Sequence, residues 1–294
     1  MKLVHKLGYA EFNAANLQRE LGYYTDIMGA TVVETGGDGT HFLSLGLDHH
    51  NIALKSAAAP SLGVTGFQLS PGVELKAFES RLTEHGIRHT RLTDARPGIP
   101  ALVEIPEIAG HRLQFYAEMA MPAPGFARTG IVPNRLGHIA LMSPEGAKLV
   151  KFFTDVLGFH ATDWFEDVAT FLTCNYDHHV LNIIAAPVPK MHHIAFEMRG
   201  SAHQYQASDA LARAELPILW GPSRHTAGHN YASYHYDHEG FLVELYADMD
   251  IFVPGQDYFE PRPWHEQMPQ RPRVWPLSQL NAWRTEFAAD LARA

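Results

Sequence analysis

The chain has little that would cross-link it or carry it into a membrane. Its 294 residues include one cysteine, Cys174, so no disulfide can form within the chain, as is usual for proteins of a reducing compartment. No run approaches the roughly 18 apolar residues of a membrane-spanning helix. The first segment, MKLVHKLGYAEF, is broken by His5, Lys6 and Glu11, which interrupts the apolar core that a secretory signal needs. We therefore expect a cytoplasmic protein without a membrane partner.

Positive charge is also scarce. The sequence has 23 lysine and arginine residues against 32 acidic residues, and its net charge is −9 with neutral histidine. Nucleic-acid binding proteins normally carry a positive surface, so we expect no nucleic-acid partner. Hydrophobic residues make up 46% and charged residues 19%, which is ordinary for a folded protein, and the length suits about two domains. Histidine is abundant, with 19 residues, but only position can separate ligands from structural histidines.

The sequence is a tandem repeat. The segment LGYAEFNAANLQRELGYYTDIMGATVVE, which begins at Leu7, aligns with LGHIALMSPEGAKLVKFFTDVLGFHATD, which begins at Leu136. FLSLGLDHHNIAL from Phe42 aligns with FLTCNYDHHVLNI from Phe171, and the spacing between the copies is unchanged. GHRLQFYAEM, which ends at Met119, then aligns with EGFLVELYADM, which ends at Met249, after a single insertion. These collinear matches indicate duplication of one structural unit.

The repeat predicts the domain organisation. We expect a first domain over residues 1–120, a linker over 121–134, a second domain over 135–250 and a tail over 251–294. The linker, MPAPGFARTGIVPN, is rich in proline and glycine, which is typical of a connecting segment. Strand patterns alternate with short helical ones, so the pattern predicts an α+β fold. The second copy should have helices over Pro144–Val156 and Ala202–Ala214, and the tail should close with an amphipathic helix over Leu277–Ala294.

Three matched strand positions differ between the two copies in their capacity to bind metal. At these positions the second copy has His138, His193 and Glu244. By our register the first copy has Tyr9, Phe67 and Gln114 there. Two histidines and one carboxylate on one face of an octahedron leave three positions open, as in non-haem Fe(II) oxygenases. The second domain is therefore the predicted catalytic, metal-binding domain, and the first is the non-catalytic repeat.

Two alternatives stay open on these residues alone. The two histidines could be hydrogen-bonded core residues and Glu244 a strand-edge carboxylate, although a glutamate in the apolar stretch FLVELY is costly to bury without a partner. His192 is adjacent to His193 and points to the opposite face of the strand. The strand pattern alone does not choose between these two histidines.

The segment GPSRHTAGHNYASYHYDHEGFLVEL resembles a known family pattern, GP-x-RH-x3-H-x4-Y-x2-D-x2-G-x3-E. The positions that meet this pattern are Gly221, Pro222, Arg224, His225, His229, Tyr234, Asp237, Gly240 and Glu244. Together with MHHIAF, the segment is similar to type I extradiol ring-cleaving dioxygenases of the vicinal oxygen chelate superfamily, especially catechol 2,3-dioxygenases (metapyrocatechases). The resemblance implies two tandem domains, each of paired βαβββ modules that form a partly open barrel. It also favours His193 over His192 as the ligand.

The resemblance implies an activity and roles for further residues. It implies extradiol (meta) cleavage of a catechol by O2 at Fe(II), giving a 2-hydroxymuconic semialdehyde-type product in the breakdown of aromatic compounds; Mn(II) accepts the same ligands. By position, His179 corresponds to the acid–base histidine, and His225 and Tyr234 correspond to residues that contact substrate and oxygen. His229 is interpreted as structural. The family also favours a homo-oligomer, in particular a tetramer.

Two other functions of the same superfamily compete with this one. A glyoxalase-like isomerase would draw metal ligands from both copies, and Tyr9 with Gln114 is a poor contribution. A metal-free binding protein has no need for two histidines and a glutamate together. Within the dioxygenase hypothesis we expect a neutral, monocyclic catechol to be preferred over an acidic one. The sequence identifies no arginine in the second copy as the partner of a substrate carboxylate.

Overall fold

The computed structural model describes residues 2–286, and these form two large mixed β-sheets, one from each copy of the repeat. Each copy contributes eight strands in two βαβββ modules. The strands of the first copy are β1 (Val4–Ala14), β2 (Thr31–Thr35), β3 (His41–Ser44), β4 (Ile52–Ser56), β5 (Ser61–Leu69), β6 (Thr90–Arg96), β7 (Ile99–Ile108) and β8 (His111–Tyr116). Its helices are α1 (Leu17–Gly22), which continues into a π-helical turn (Tyr23–Ile27), and α2 (Leu75–Glu84).

The second copy repeats this order of elements. Its strands are β9 (Arg135–Ser143), β10 (His160–Phe165), β11 (Ala169–Thr173), β12 (Leu181–Ala185), β13 (Lys190–Glu197), β14 (Ile218–Arg224), β15 (Tyr231–Tyr236) and β16 (Leu242–Ala247). Its helices are α3 (Gly146–Lys151), which again continues into a π-helical turn (Phe152–Val156), and α4 (Ser201–Arg213). The two helices predicted in this copy are therefore present, and their bounds lie close to the predicted ones.

The strand order is the same in both sheets, which confirms the predicted fold class. The first sheet runs β2-β3-β4-β1-β5-β8-β7-β6, and the second runs β10-β11-β12-β9-β13-β16-β15-β14 when read from the matching edge. In each sheet the two modules meet where the first strand of one module pairs antiparallel with the first strand of the other. The sheets curl into open half-barrels. Residues 117–134, which include the predicted linker, form neither helix nor strand; the domain boundaries themselves stay a prediction.

Strand alternation separates a shared core from the site-bearing face of the second sheet. Ile139 and Ile194 belong to a core that contains buried residues of both copies. Phe67 of the first copy contacts Phe153 and Phe159 of the second, with ring centroids 5.5 and 6.2 Å apart. A fully buried phenylalanine contributes about 1.5–3 kcal/mol, so these contacts hold the two sheets together. Because successive side chains alternate, His138, the neighbour of Ile139, points to the opposite face.

The tail after the second sheet is only partly as predicted. It contains a two-stranded ribbon, β17 (Phe252–Val253) with β18 (Tyr258–Phe259), and then β19 (Val274–Trp275), which pairs parallel with the edge strand β10. Of the helix predicted over Leu277–Ala294, the described residues contain one 3-10 turn, Leu277–Gln279, and residues 287–294 lie outside the described part. No helix among residues 2–286 has both the length and the apolar character to cross a membrane.

Candidate metal centre and active site

The three predicted ligands lie on adjacent strands at the centre of the second sheet. β13 pairs with β9 on one side and with β16 on the other, and Ala195 is opposite both His138 and Glu244. His193 is two positions before Ala195 and therefore shares its face. His138 Nε2 lies 3.0 Å and His193 Nε2 lies 3.2 Å from the same oxygen, Glu244 Oε2. The sheet thus brings the three side chains together, all of them buried.

The spacing and the burial of this triad fit a divalent metal ion. Neighbouring octahedral ligands at roughly 2.1 Å from a metal are about 3.0 Å apart, close to the two distances observed. His193 Nε2 is buried and has no well-directed hydrogen bond among the described residues. Burial opposes ionisation of Glu244, yet His138 and then His193 hold the pKa of this carboxyl well below its usual range. A buried carboxylate beside two imidazoles is a donor set that a cation would satisfy.

Glu244 is also held by neutral donors from the neighbouring strand and loop. Asn230 Nδ2 donates to Oε1 at 2.7 Å, and the Tyr234 hydroxyl donates to Oε2 at 2.7 Å. His225 Nε2 lies 3.0 Å from the same hydroxyl. Burial and the charge of Glu244 raise the pKa of Tyr234 well above its ordinary value, so the phenol stays protonated and can donate. These contacts fix the carboxylate and leave Tyr234 and His225 at the edge of the metal position.

A cavity of about 320 Å³ opens beside the triad. Five of the six predicted site residues line it: His179, His193, His225, Tyr234 and Glu244. The sixth, His138, lies behind His179, with ring centroids 4.3 Å apart. Burial, then the charges of His138 and His178, hold the pKa of His179 well below its ordinary value. A larger cavity of about 730 Å³ lies against the tail near Trp264, and no predicted site residue lines it.

Most of the remaining wall of the 320 Å³ cavity is apolar, and its polar members are Asn182, His192 and Asn230. The larger apolar side chains of this wall come from β10, β11, β12, the turn between β10 and β11, and the tail: Phe165, Phe171, Ile184, Val168, Leu277 and Leu280. No lysine or arginine of residues 2–286 lines this cavity. Arg224, the one arginine of the family-like segment, which has no lysine, does not reach the cavity: its Nη1 donates to the carbonyl of His229 at 2.6 Å, and its guanidinium lies 4.1 Å from the centre of the Trp264 ring.

Comparison with known proteins identifies the second half of the chain. The sequence profile of the Glyoxalase/Bleomycin resistance protein/Dioxygenase superfamily matches residues 135–245. Residues 135–245 belong to this superfamily. The matched range runs from the start of β9 into β16 and contains the whole triad, so the superfamily predicted from the sequence is confirmed.

Individual relatives extend the similarity to more than nine tenths of the chain. Metapyrocatechase 2 of Cupriavidus necator is 32% identical over 128 residues, which cover 43% of this chain and 40% of that protein. The 2,2',3-trihydroxybiphenyl dioxygenase of Sphingomonas paucimobilis is 28% identical over 292 residues, covering 92% of this chain and 96% of that protein. The solved structure of a Mn(II)-bound glyoxalase from Novosphingobium aromaticivorans matches with a TM-score of 0.83 and 26% identity, covering 97% of this chain and 92% of that one.

The first copy closes the equivalent position with its own side chains. Arg96 is buried there, and its Nη2 donates to Glu11 Oε2 at 2.6 Å while its Nε donates to Gln114 Oε1 at 3.2 Å. Tyr9, opposite Gly66 as His138 is opposite Ala195, donates to the same oxygen of Gln114. A buried guanidinium therefore provides the positive charge in the first copy. Among the described residues no group of potential metal ligands is present in this copy.

One part of the predicted register was wrong. Phe67 pairs with Leu7, and its true counterpart is Phe196, which pairs with Leu136. The counterpart of His193 is therefore Val64, earlier on the same strand. Phe67 points into the shared core together with Leu69, two positions later on the same strand face. The comparison of the two copies is unchanged, because valine binds metal no better than phenylalanine.

A second cluster near the site is hydrogen-bonded rather than open. His229, Asp250 and His265 are close enough to hold a metal, with His229 Nδ1 and His265 Nε2 lying 2.7 and 2.9 Å from Asp250 oxygens. The backbone N–H of Arg262 donates to His265 Nδ1 at 3.2 Å, so the ring proton lies on Nε2 and points at Asp250. Burial opposes ionisation of Asp250, but His229 and His265 hold its pKa well below the usual range. This cluster anchors the tail, in agreement with the structural interpretation of His229.

Sequence reasoning missed Asn230 and the contribution of the tail to the cavity. Asn230 follows His229 without any pattern of its own, and its role depends on a turn that aims the amide at Glu244. Leu277 and Leu280 reach the cavity because β19 adds to the edge of the sheet. Neither a turn geometry nor such a short parallel pairing has a signature in a single sequence.

Proposed function

We propose that the protein is a metal-dependent extradiol dioxygenase that opens the ring of a catechol next to its two hydroxyl groups. The observation that carries this proposal is the triad of His138, His193 and Glu244 beside an apolar cavity that also contains His179 and Tyr234. Three ligands on one side of a metal leave adjacent positions for a substrate and O2 together. The nearly full-length similarity to a dioxygenase supports the same activity.

We assign Fe(II) as the metal, held by the triad. When bound there, Fe(II) would lower the pKa of a catechol hydroxyl and provide the redox-active centre at which catechol and O2 meet. Mn(II) accepts the same donors, and the glyoxalase relative carries it. The ionised, buried Glu244 provides one negative charge, so part of the metal charge is left to stabilise an anionic substrate.

The other residues around the triad bind, orient and move protons. The Tyr234 hydroxyl, fixed between Glu244 and His225, orients a catechol oxygen at the cavity edge. His179 faces the cavity from the opposite side and accepts a proton from the substrate, which it later returns to the oxygen of the opened ring. The apolar wall excludes water, which strengthens these polar contacts.

The substrate class follows from the cavity. A buried carboxylate on a substrate would need a lysine or arginine partner, and the described residues place none along the wall. The volume of about 320 Å³ is at the lower end of the roughly 300–1,000 Å³ of small-molecule sites. We therefore propose a neutral catechol with at most a small apolar substituent. The 2-hydroxymuconic semialdehyde-type product, the homo-oligomeric state and the cytoplasmic location stay predictions with this proposal.

A glyoxalase-like isomerase is the second candidate, because the Mn(II)-bound glyoxalase matches nearly the whole chain. Such an isomerase would draw metal ligands from both copies. The described residues of the first copy offer none, because Arg96 occupies its equivalent position. A metal-free binding protein is disfavoured by the buried, ionised Glu244.

The test is anaerobic purification with added Fe(II), followed by a panel of catechols in an O2 electrode and by a thiol–methylglyoxal isomerisation assay on the same sample. We expect one metal ion per chain, bound in the second half, and O2 uptake that depends on catechol. Isomerisation without catechol-dependent O2 uptake would replace the first candidate by the second. Two metal ions per chain, or none after reconstitution, would contradict the assigned site.

A further inference from the structure

A chain of three buried side chains runs from the edge of the second sheet to the cavity. Asp163 lies on β10, and His178 and His179 precede β12. Asp163 Oδ2 is 3.0 Å from His178 Nε2, and His178 Nδ1 is 2.9 Å from His179 Nδ1. The three residues are 1%, 0% and 3% exposed. His179 then lines the cavity, so the carboxylate of Asp163 is connected through two imidazoles to the proposed acid–base group.

The other contacts of Asp163 fix the direction of these hydrogen bonds. Trp275 Nε1 donates to Asp163 Oδ2 at 2.8 Å, and the backbone N–H of Arg273 donates to Oδ1 at 2.8 Å. An indole N–H and a backbone N–H can only donate, so Asp163 acts as the acceptor and His178 Nε2 also carries a proton. His178 Nδ1 then offers its lone pair, and His179 Nδ1 must donate to it. With one proton on each ring, His179 Nε2 is left with a lone pair.

We infer that Asp163 and His178 are positioning residues that select the tautomer of His179 and so keep its Nε2 ready to accept a proton in the cavity. The inference rests on the proposed function. The proton moves from a catechol hydroxyl to Nε2, the electrons of the broken O–H bond stay on the oxygen, and no electron enters the chain of histidines. The positive charge that His179 gains is stabilised through His178 by the carboxylate of Asp163, as a carboxylate stabilises the imidazolium of a serine-protease triad.

The tail holds this arrangement in place. Trp275 and the backbone of Arg273, which contact Asp163, belong to β19 and the residue before it. The ring of Phe259, also from the tail, stacks on His178 with centroids 5.0 Å apart. The tail therefore does more than cover the cavity: it supplies the two donors that make Asp163 an acceptor and packs against the middle imidazole.

The first copy contains a matched internal control. Glu34, His49 and His50 occupy the equivalent positions of the repeat, with contacts of 3.2 Å between carboxylate and imidazole and 3.0 Å between the two imidazoles. There the Glu34 side chain is 49% exposed against 1% for Asp163, and His50 lies against Tyr9 rather than a proposed metal ligand. Substitution of the middle histidine should therefore matter in the second copy and not in the first.

The direct test is neutron diffraction from crystals of the full chain, loaded with Fe(II) under anaerobic conditions and exchanged into heavy water. We expect deuterium on His178 Nε2 and on His179 Nδ1, and none on His179 Nε2. Deuterium on His179 Nε2 would overturn the inference, because this nitrogen could then accept no proton. This result does not depend on any activity of the protein.

Two substitutions separate positioning from simple packing. His178→Leu removes the acceptor of the His179 proton, whereas His178→Asn keeps an acceptor oxygen near the place of Nδ1. We expect His178→Leu to lower kcat by about 10²-fold, the lower end of the range for an acid–base group, with iron content and KM for the catechol little changed. His178→Asn should restore most of the lost kcat, and His49→Leu should leave kcat unchanged.

The outcomes distinguish this inference from the proposed function. If the wild-type protein cleaves no catechol, the proposed function fails while the neutron result still decides the tautomer. If the wild-type protein is active and iron-loaded His178→Leu turns over equally fast, only the positioning role is overturned. A His178→Asn variant as slow as His178→Leu would also count against it, since both would then report loss of packing.

Discussion

Replacing Glu244 by glutamine should abolish the stabilisation that bound metal gives to the folded protein. The substitution keeps the shape of the side chain and removes the one negative charge between the two imidazoles. A ligand that binds only the folded state stabilises it by about 4.1 kcal/mol at a thousandfold excess over Kd. At roughly 2–4 °C per kcal/mol for a unit of this size, Fe(II) should raise the Tm of the wild-type protein by about 8–16 °C.

In Glu244→Gln we expect almost none of this rise. The metal-free variant should unfold within a few degrees of the metal-free wild-type protein, because an amide can still pair with Asn230 and Tyr234 and no longer carries a buried charge. The assay is anaerobic differential scanning fluorimetry with and without Fe(II), together with metal analysis.

A matched control is Glu197→Gln, a carboxylate on β13 that pairs with Arg135 at 2.6 Å outside the cavity. This variant should keep the full metal response. A Glu244→Gln variant with a wild-type rise in Tm would refute the assignment of the metal to the triad.

Three further predictions concern catalysis, the substrate and pH. His179→Ala should keep its iron and lose about 10²–10⁴-fold in kcat; a wild-type rate would remove His179 from the proton transfer. Catechol or 3-methylcatechol should have a higher kcat/KM than homoprotocatechuate, and a tenfold preference for the acid, about 1.4 kcal/mol, would mean that a basic residue reaches the cavity. Burial, reinforced by Asp237, raises the pKa of Glu20 to about 9 from an ordinary 4.5, and burial raises the pKa of Asp237 to about 6. Since these folded-state values are above the unfolded ones, the folded protein should lose stability as pH rises from about 4 through these values. Glu20→Gln should therefore raise Tm more at about pH 8 than at about pH 5, and an equal effect at both would show that Glu20 is ionised when folded.

The sequence was sufficient for the fold class because the duplication shows the same pattern twice. Alternation of apolar and polar residues, compared between the two copies, predicts the strands and places His138 and Glu244 on matched positions. The interpretation of His229 as structural comes from the family comparison and agrees with its contact to Asp250. The repeated Asp-His-His segment aligns His178 and His179 with the first copy, but it shows nothing of their hydrogen bonds.

The sequence was not sufficient where the geometry depends on irregular backbone. The counterpart of His193 was misplaced because β5 shares only one identical residue, Phe67, with the corresponding stretch of β13, so the sequence offers little to align there. The sequence does not identify Arg96 as the buried cation of the first copy, because nothing in it shows that this side chain turns inward. The amphipathic stretch over Leu277–Ala294 predicts a helix, whereas its described residues contain a single turn, Leu277–Gln279, and line the cavity with Leu277 and Leu280.

The central claim is that the metal held by the triad opens the ring between a hydroxylated carbon and the adjacent carbon that carries no hydroxyl group. The most direct measurement is the 1H NMR spectrum of the product made by the iron-loaded protein from catechol and O2, with O2 consumption recorded in the same reaction. The account predicts one O2 consumed per catechol and a ring-opened product with an aldehyde proton. A dicarboxylic product without an aldehyde, or catechol left intact by protein that carries one iron per chain, would contradict it.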